Sequence, residues 1–452
     1  MPEEAKFFVY NQNKRHHIGA FTNLNNKGTK DAVEGFATGL VYGNTIILEY
    51  YLPKNCSEKA IISISGIVHG YRYIMQEYGY GNVPGNNPNI GFNQSGNCQV
   101  NINCLEGDNW QNEKHAVALI LMGNSVCTGS LINNTNNDNY PYFLTANHCL
   151  LYGNGNNGNN GDAINNPNLN HWTFYWDYEL PPNSNDCNYN NSTPLEPLAF
   201  STAGAQILAN NPESDFALLE LTEDPKYFSN HTPSFIPYYL GWDRTGNSGT
   251  GGVGIHHPRG DVKKISTHNI TPPTNSNCLN GYLNGIYLAN SSFWRINWMA
   301  TSNGHSVTEG GSSGSPLLNN NHRVIGQLFG AGSCSDTNCN DPSKDIANYG
   351  KFSVSWTGNN ATDNRRRLRD WLDTNNTTTV LNGISCLTVV NFIGTITTPI
   401  IVTTDTTIVS CGDINVQYVK VQNGAKLTLI AAGKVNLGVG FKVELGSKLE
   451  IK

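Results

Sequence analysis

Apolar residues along this chain recur in short runs and alternations, broken repeatedly by Gly, Asn, Pro and Ser. KFFVY (Lys6–Tyr10), TIILEYYL (Thr45–Leu52) and AIISI (Ala60–Ile64) are rich in β-branched and aromatic residues and predict strands. A breaker-rich stretch, GNVPGNNPNIG (Gly81 to Gly91), predicts an exposed linker open to proteolysis. Beyond it, HAVALILM (His115 to Met122), FALLEL (Phe216 to Leu221) and VIGQLF (Val324 to Phe329) predict short strands between turn clusters. No βαβ alternation separates them, so an all-β sandwich or pair of barrels follows. One helix is predicted, DNRRRLRDWLDT (Asp363 to Thr374), with Leu368, Trp371 and Leu372 on one face and Arg365–Arg367 on its solvated side. Near the end GAKLTL (Gly424), GKVNL (Gly433), GFKVEL (Gly440) and GSKLEI (Gly446) each set a Gly before alternating apolar residues. That weak repeat predicts short strands turning at Gly and stacked as a small coil or sandwich. The chain thus divides into a β-rich N-terminal region (1–92), a central domain (93–381) and a β-rich C-terminal appendage (382–452).

Composition narrows this further. The 452 residues carry 28 basic and 34 acidic side chains, a net charge of −6. No basic block is long enough to track a phosphate backbone, which argues against a nucleic-acid partner. No run of 18 or more apolar residues occurs, so no membrane-spanning helix is expected. Eleven widely spaced cysteines without a C-x-x-C point to disulfides in an oxidising compartment. The chain opens MPEEAKFFVYNQ, without a basic-then-apolar leader. With the cysteines, this reads as a secreted or cell-surface bacterial protein whose signal segment is missing here, ahead of a cytosolic protein with free thiols.

Three central segments carry chemistry. YFLTANHC (Tyr142 to Cys149) ends an apolar strand at His148. SDFALLEL (Ser214 to Leu221) sets Asp215 at the mouth of another strand. GGSSGSP (Gly310 to Pro316) is a Gly/Ser loop running into a third. A serine hydroxyl attacks a peptide carbonyl only when a neighbouring imidazole takes its proton and a carboxylate fixes and stabilises that imidazole. The order His148, Asp215, Ser matches such a triad. The loop must also offer two backbone N–H groups to the oxyanion, one of them two residues before the nucleophile. Read as G-x-S-G-x-P, Gly311 is that donor and Ser313 is both nucleophile and second donor, ahead of Ser315 and Ser312. Singly, each element has an ordinary reading: a structural His, a turn Asp, a Gly/Ser turn.

With these motifs the sequence resembles the trypsin-like (chymotrypsin-fold) serine peptidases, and within them the bacterial lysyl endopeptidase subfamily. The resemblance includes GNCQVNINCLEGD (Gly96 to Asp108), CTGSLINNT (Cys127 to Thr135), GWDR (Gly241 to Arg244), IHHPRGDVKKIS (Ile255 to Ser266), VTEGGSSGSP (Val307 to Pro316), VIGQLFGAGSC (Val324 to Cys334) and YGKFSVSW (Tyr349 to Trp356). It implies two six-stranded antiparallel β-barrels with the site between them, His148 on the first side and Ser313 on the second. It also implies bridges Cys98–Cys334, Cys104–Cys187 and Cys127–Cys149, each worth about 3–5 kcal/mol by loop closure. For the others we take Cys278–Cys339 and Cys386–Cys411, leaving Cys56 odd. The function implied is a secreted, monomeric serine endopeptidase acting on proteins or peptides, with no cofactor and no metal. A catalytically silent adhesin working through the C-terminal region is the rival reading.

The sequence departs from the subfamily at the specificity pocket. Ala347 stands two residues before Tyr349-Gly350, where the subfamily has an acid, and Phe329 stands where it has His. Val307, six residues before Ser313, replaces the acid of trypsin-like pockets. Asp345 is the nearest acidic substitute. Without a buried acid a basic side chain is unwelcome, so an apolar or small preference is expected at the cleaved position. Ser312 also replaces the Asp that pairs with a freed amino terminus in trypsin-like zymogens, so that switch is unavailable. SGIVHGYR (Ser65 to Arg72) resembles the tail of a pro-region, with cleavage expected near Asn93. His256 and His257 point to opposite faces of a strand and are taken as structural. Trp294 and Trp298 fit either the cleft or the core.

Overall fold

The computed structural model describes, apart from short gaps, residues 1–67, 94–152, 167–180, 199–228, 235–273, 281–331, 341–386 and 389–451, with Phe92, Cys187 and Cys339 between them. The expected linker from Gly81 to Gly91, most of SGIVHGYR, Asn93, Cys278 and Cys334 lie outside the described residues.

The first region supplies a three-stranded antiparallel sheet, His17–Phe21, Lys6–Asn11 and Ile46–Tyr51 in that order. Ala60–Ile64 is not a strand: it has no ladder partner, and Ile61 and Ile64 are exposed at 96% and 60%. β-propensity alone does not hold a segment with nothing to pack against. The region meets the central domain along one edge. Leu40 N–H donates to Tyr175 Oη at 2.9 Å, and Asn25 Nδ2 donates to Glu223 Oε1 at 2.7 Å.

The central domain holds two large sheets. The first runs Phe200–Ala203, Thr173–Trp176, Val117–Met122, Ser125–Leu131, Tyr142–Ala146, Phe216–Leu221, Ala205–Asn211, antiparallel throughout. Its edge strands are consecutive in sequence and joined through Gly204 alone (φ 81°). The seven strands are therefore six, one of them bent at a glycine that tolerates the left-handed backbone. The second sheet runs Phe293–Asn297, Ile346–Lys351, Arg323–Gly330, Pro316–Asn319, Gly252–His256, Lys264–His268 and then Val100–Asn101 from the N-terminal arm. Gly241–Asp243 and Val380–Leu381 complete its nine. The six-strand expectation thus holds for the antiparallel body, and the arm and two connecting segments are added at its margins.

Trp172, Trp176, Phe143, Phe174 and Phe216 fill the first core, each at most 1% exposed. Trp294 and Trp298 belong to the second, packed with Val307, Leu317, Ile325 and Tyr349 rather than lining open cleft. The predicted C-terminal helix is reduced to a 3-10 turn at Asn364–Arg366 and one α turn at Arg369–Leu372. Arg367 between them is extended (φ −151°, ψ 150°), because its guanidinium reaches Ala361 O at 2.8 Å and pairs with Asp370. Arg366 likewise donates to Asn210 O, so two of the three arginines hold backbone instead of facing water.

Residues 389–451 wind as a three-sided coil of parallel strands. One side stacks Val389–Ile393, Asp413–Gln417 and Val435–Leu437; the second stacks Ile400–Val402, Val419–Val421 and Lys442–Val443; the third stacks Thr406–Ser410, Lys426–Ala431 and Lys448–Ile451. Val416, Val419, Val421, Leu427 and Leu429 fill its interior. Gly424, Gly440 and Gly446 turn its corners at φ between 77° and 88°, as the glycine-led repeat predicts. Cys386–Cys411 ties it to the segment just before it, where Ile384–Ser385 pairs with Tyr238–Tyr239 of the central domain.

Cys104–Cys187 and Cys127–Cys149 form as expected. Cys98, however, bonds Cys339, which corrects both Cys98–Cys334 and Cys278–Cys339. The loop after Gly330 offers two cysteines a few residues apart, and spacing does not tell which one comes under the arm. Cys339 does: its Cα lies 5.2 Å from that of Cys98, beneath Gly96, where an added Cβ would meet its sulfur.

Candidate active site

Two elements of the first sheet present the acid and the imidazole. The strand Tyr142–Ala146 passes into a short helix, Asn147–Tyr152, that carries His148. The adjacent strand Phe216–Leu221 begins one residue after Asp215. Asp215 has a left-handed backbone (φ 56°), which Asp tolerates better than bulkier residues. From there its carboxylate grips the helix start twice. Oδ1 accepts the His148 backbone N–H at 2.9 Å and Oδ2 lies 2.7 Å from His148 Nδ1. Its carbonyl accepts the Asn147 N–H at 2.9 Å. The carboxylate is buried, and the imidazole edge stays partly open, at 4% and 18% side-chain exposure. Nδ1 is thereby committed to the acid.

The Gly/Ser loop of the second sheet is fastened across the first through Thr128. Thr128 N–H donates to Ser313 O and Thr128 Oγ1 donates to Gly311 O, both at 2.8 Å. Thr145 Oγ1 in turn donates to Thr128 O at 2.8 Å. Cys127 and Cys149 flank Thr128 and His148, and Cys149 Sγ lies 3.9 Å from Ser313 O. Those two sulfurs are bonded to each other, so their closeness to the imidazole does not make a thiolate metal site. Gly314 (φ 82°) sits where a Cβ would lie 2.2 Å from Thr145 Oγ1 and 2.4 Å from Thr128 O. Only glycine permits that approach.

Of the three loop serines, Ser312 and Ser315 are fully buried and Ser313 alone is partly exposed. Ser312 Oγ is taken up by His256 Nδ1 at 2.7 Å. The N–H groups of Ser312, Gly314 and Ser315 donate to Glu309 O, Leu328 O and Ser312 O. Among the described residues, those of Gly311 and Ser313 have no such acceptor. Gly311 holds φ 97°, a left-handed backbone that favours glycine.

The remaining sequence-singled residues fall as follows. Val307 and Ala347 are fully buried in the second core. Asp345, 1% exposed, accepts the Thr308 N–H at 3.1 Å. Phe329 sets its ring edge-on to His148, centroids 5.7 Å apart, and packs likewise on Phe293. His256 and His257 take different partners: His256 spans Ser312 and Ser266, and His257 Nδ1 meets Asp261 O at 2.9 Å. Burial, with Lys264 nearby, drives the His256 pKa down to about 3.

Sequence reasoning did not single out Thr128, Gln99 or Glu309. Thr128 lies in the quoted CTGSLINNT, but nothing marks it as the loop's anchor.

Residues 92–348 match the family model described as lysyl endopeptidase, C-terminal domain, more than half of the chain. The chain belongs to the lysyl endopeptidase family. A lysyl endopeptidase of Pseudomonas aeruginosa is 28% identical over 305 residues, 64% of this chain. The chain spans 56% of that relative's length. Among solved structures, a Glu endopeptidase in complex with MPD overlaps 57% of this chain and 92% of its own, at 16% identity and TM-score 0.31. The MamO protease domain from Magnetospirillum magneticum overlaps 56% and 100%, at 11% identity and TM-score 0.32.

Proposed function

We propose that the chain is a serine endopeptidase in which Ser313 is the nucleophile, His148 the general base and Asp215 the residue that orients and stabilises the imidazole. One observation carries the reading: an imidazole is clasped by a buried carboxylate at 2.7 Å, and the glycine–serine loop that Thr128 pins to the neighbouring strand leaves one serine of three partly exposed. His148 Nε2 accepts the Ser313 proton as Oγ bonds to the substrate carbonyl carbon. The resulting oxyanion is received by the Gly311 and Ser313 N–H groups. His148 then returns the proton to the departing amine, leaving an acyl-enzyme that water hydrolyses by the reverse sequence.

At the positions where the resemblance puts the first pocket, Val307 and Ala347 are apolar and buried in the second core, and the Asp345 carboxylate accepts the Thr308 N–H. These residues support an apolar or small residue at the cleaved position. Exclusive cleavage after Lys in a peptide-library digest would overturn the preference and implicate Asp345. Four disulfides among the described residues support secretion into an oxidising compartment. Among the described residues no helix is long and apolar enough to cross a membrane. We further propose three working units, residues 1–92, 93–381 and 382–452, with processing near Asn93.

Labelling by an organophosphate tests the reading. Modification of the wild type and of Ser315→Ala, but not of Ser313→Ala, is expected, with turnover of Ser313→Ala lower by about 10⁴-fold or more. Labelling that persists in Ser313→Ala would sink it.

A further inference from the structure

The loop that would stabilise the oxyanion is held from beneath by a closed circuit of buried polar groups. Ser312 Oγ meets His256 Nδ1 at 2.7 Å, and His256 Nε2 meets Ser266 Oγ at 3.0 Å. Ser266 Oγ donates to Ser306 Oγ at 3.1 Å, and Ser306 Oγ donates to Gln99 Oε1 at 2.7 Å. Gln99 Nε2 donates to Glu309 Oε2 at 2.9 Å, and the Glu309 N–H returns to Ser312 Oγ at 3.2 Å. All six residues are buried, none more than 6% exposed.

The donors fix one direction around this circuit. Ser266 and Ser306 each spend their proton forward, so Ser266 must accept from His256 Nε2–H. His256 Nδ1 is then an acceptor, and takes the Ser312 hydroxyl proton. Every member donates once to the next, from Ser312 through His256, Ser266, Ser306 and Gln99 to Glu309. Such a run strengthens each of its bonds, and an interrupted one leaves buried groups unpaired.

The circuit joins two distant parts of the chain. Gln99 lies on the N-terminal arm, which Cys98–Cys339 anchors, and its amide also donates to Val307 O at 2.7 Å. Gly96 N–H of the same arm reaches Glu309 Oε2 at 2.8 Å. Arg259 Nε lies 2.7 Å from Glu309 Oε1, and Arg259 N–H donates to Gly310 O. Glu309 is thus the point at which arm and loop meet, four residues before Ser313.

We propose that Glu309, Gln99 and His256 are positioning residues for the oxyanion loop, doing through an internal side-chain circuit what a freed amino terminus and its Asp partner do in trypsin-like zymogens. This rests on the serine endopeptidase reading. It adds that the arm, not a new chain end, sets the Gly311 and Ser313 N–H groups.

Gln99→Met and Glu309→Gln are the variants, examined in the full chain. Each is expected to lower kcat by about tenfold or more, part of the 10²–10³ that loss of one oxyanion donor costs. A peptide aldehyde, whose adduct carries the oxyanion, should lose affinity by the same factor as kcat/KM. The corresponding peptide amide should keep its inhibition constant. Unchanged kcat and aldehyde affinity in both variants would overturn the proposal, as would equal losses for aldehyde and amide. Failure of the wild type to be labelled at Ser313 would instead refute the underlying reading.

Discussion

The central domain and the C-terminal coil are both β-structures of similar strand length, yet they are assembled on opposite principles. In the central domain neighbours in space come from far apart in sequence. Gln99 touches Glu309, Thr128 touches Ser313 and Cys98 bonds Cys339. In the coil each strand lies in register on the strand one turn earlier, so that Asn391, Asn415 and Asn436 stack amide on amide at 2.8 and 2.9 Å. Buried charge gathers in the central domain, at Asp215, Asp261, Lys263 and Glu309. A repeating coil offers each position the same surroundings, which is stable but gives no means of converging unlike groups on one point. Long-range antiparallel pairing does, at the cost of slower folding.

This contrast can be tested by substitutions matched in kind. The largest effect is expected for Gly314→Ala, where the methyl would strike Thr145 Oγ1 and Thr128 O from a left-handed backbone. A loss of about 3–5 kcal/mol in urea denaturation should accompany loss of turnover. Comparable stability in Gly314→Ala and wild type would mean the loop is far less constrained than its contacts imply. Leu427→Ala, in the coil interior, should cost about 2–5 kcal/mol for a transition of its own while leaving kcat/KM alone. A fall in kcat/KM would show that the two regions are coupled.

Acid should discriminate next. Neutral His256, with its folded pKa near 3, lets the unfolded chain take up the proton first. The stability it preserves is complete above its unfolded value of about 6.5 and is lost as pH falls toward 3, on the order of 3 kcal/mol between pH 7 and pH 4. Urea midpoints across that window should be flatter in His256→Gln than in wild type; parallel curves would refute the assignment. The smallest effect belongs to Asn415→Ala, about 1 kcal/mol for one link of the amide stack. A loss of several kcal/mol would show the stack to be a main support of the coil.

The sequence made the strands and the residues proposed as a triad legible, and physical reasons separate these from what it hid. Alternation in FALLEL and the glycine-led repeat near the end report local burial, which a strand expresses directly. His148, Asp215 and the serine loop are readable because each sits beside a strand terminus with few alternative explanations. Gln99, Ser266 and Ser306 are single polar residues in three separate segments, and only the folded register makes them a circuit. The Cys98 partner is hidden because two cysteines share a loop. The helix near Asp363 is shorter than its apolar spacing predicts because its arginines bond carbonyl partners that periodicity does not see. Nor does β-propensity reveal that Ala60–Ile64 lacks a neighbour.

The coil's register has one more consequence. A turn takes between 19 and 24 residues and repeats its pairing with the turn before it. Whole turns are therefore interchangeable units of length: inserting or deleting one moves the far tip by roughly 5 Å, the spacing of paired strands, and leaves the catalytic half untouched. Reach becomes a quantity that inheritance is free to adjust independently of chemistry.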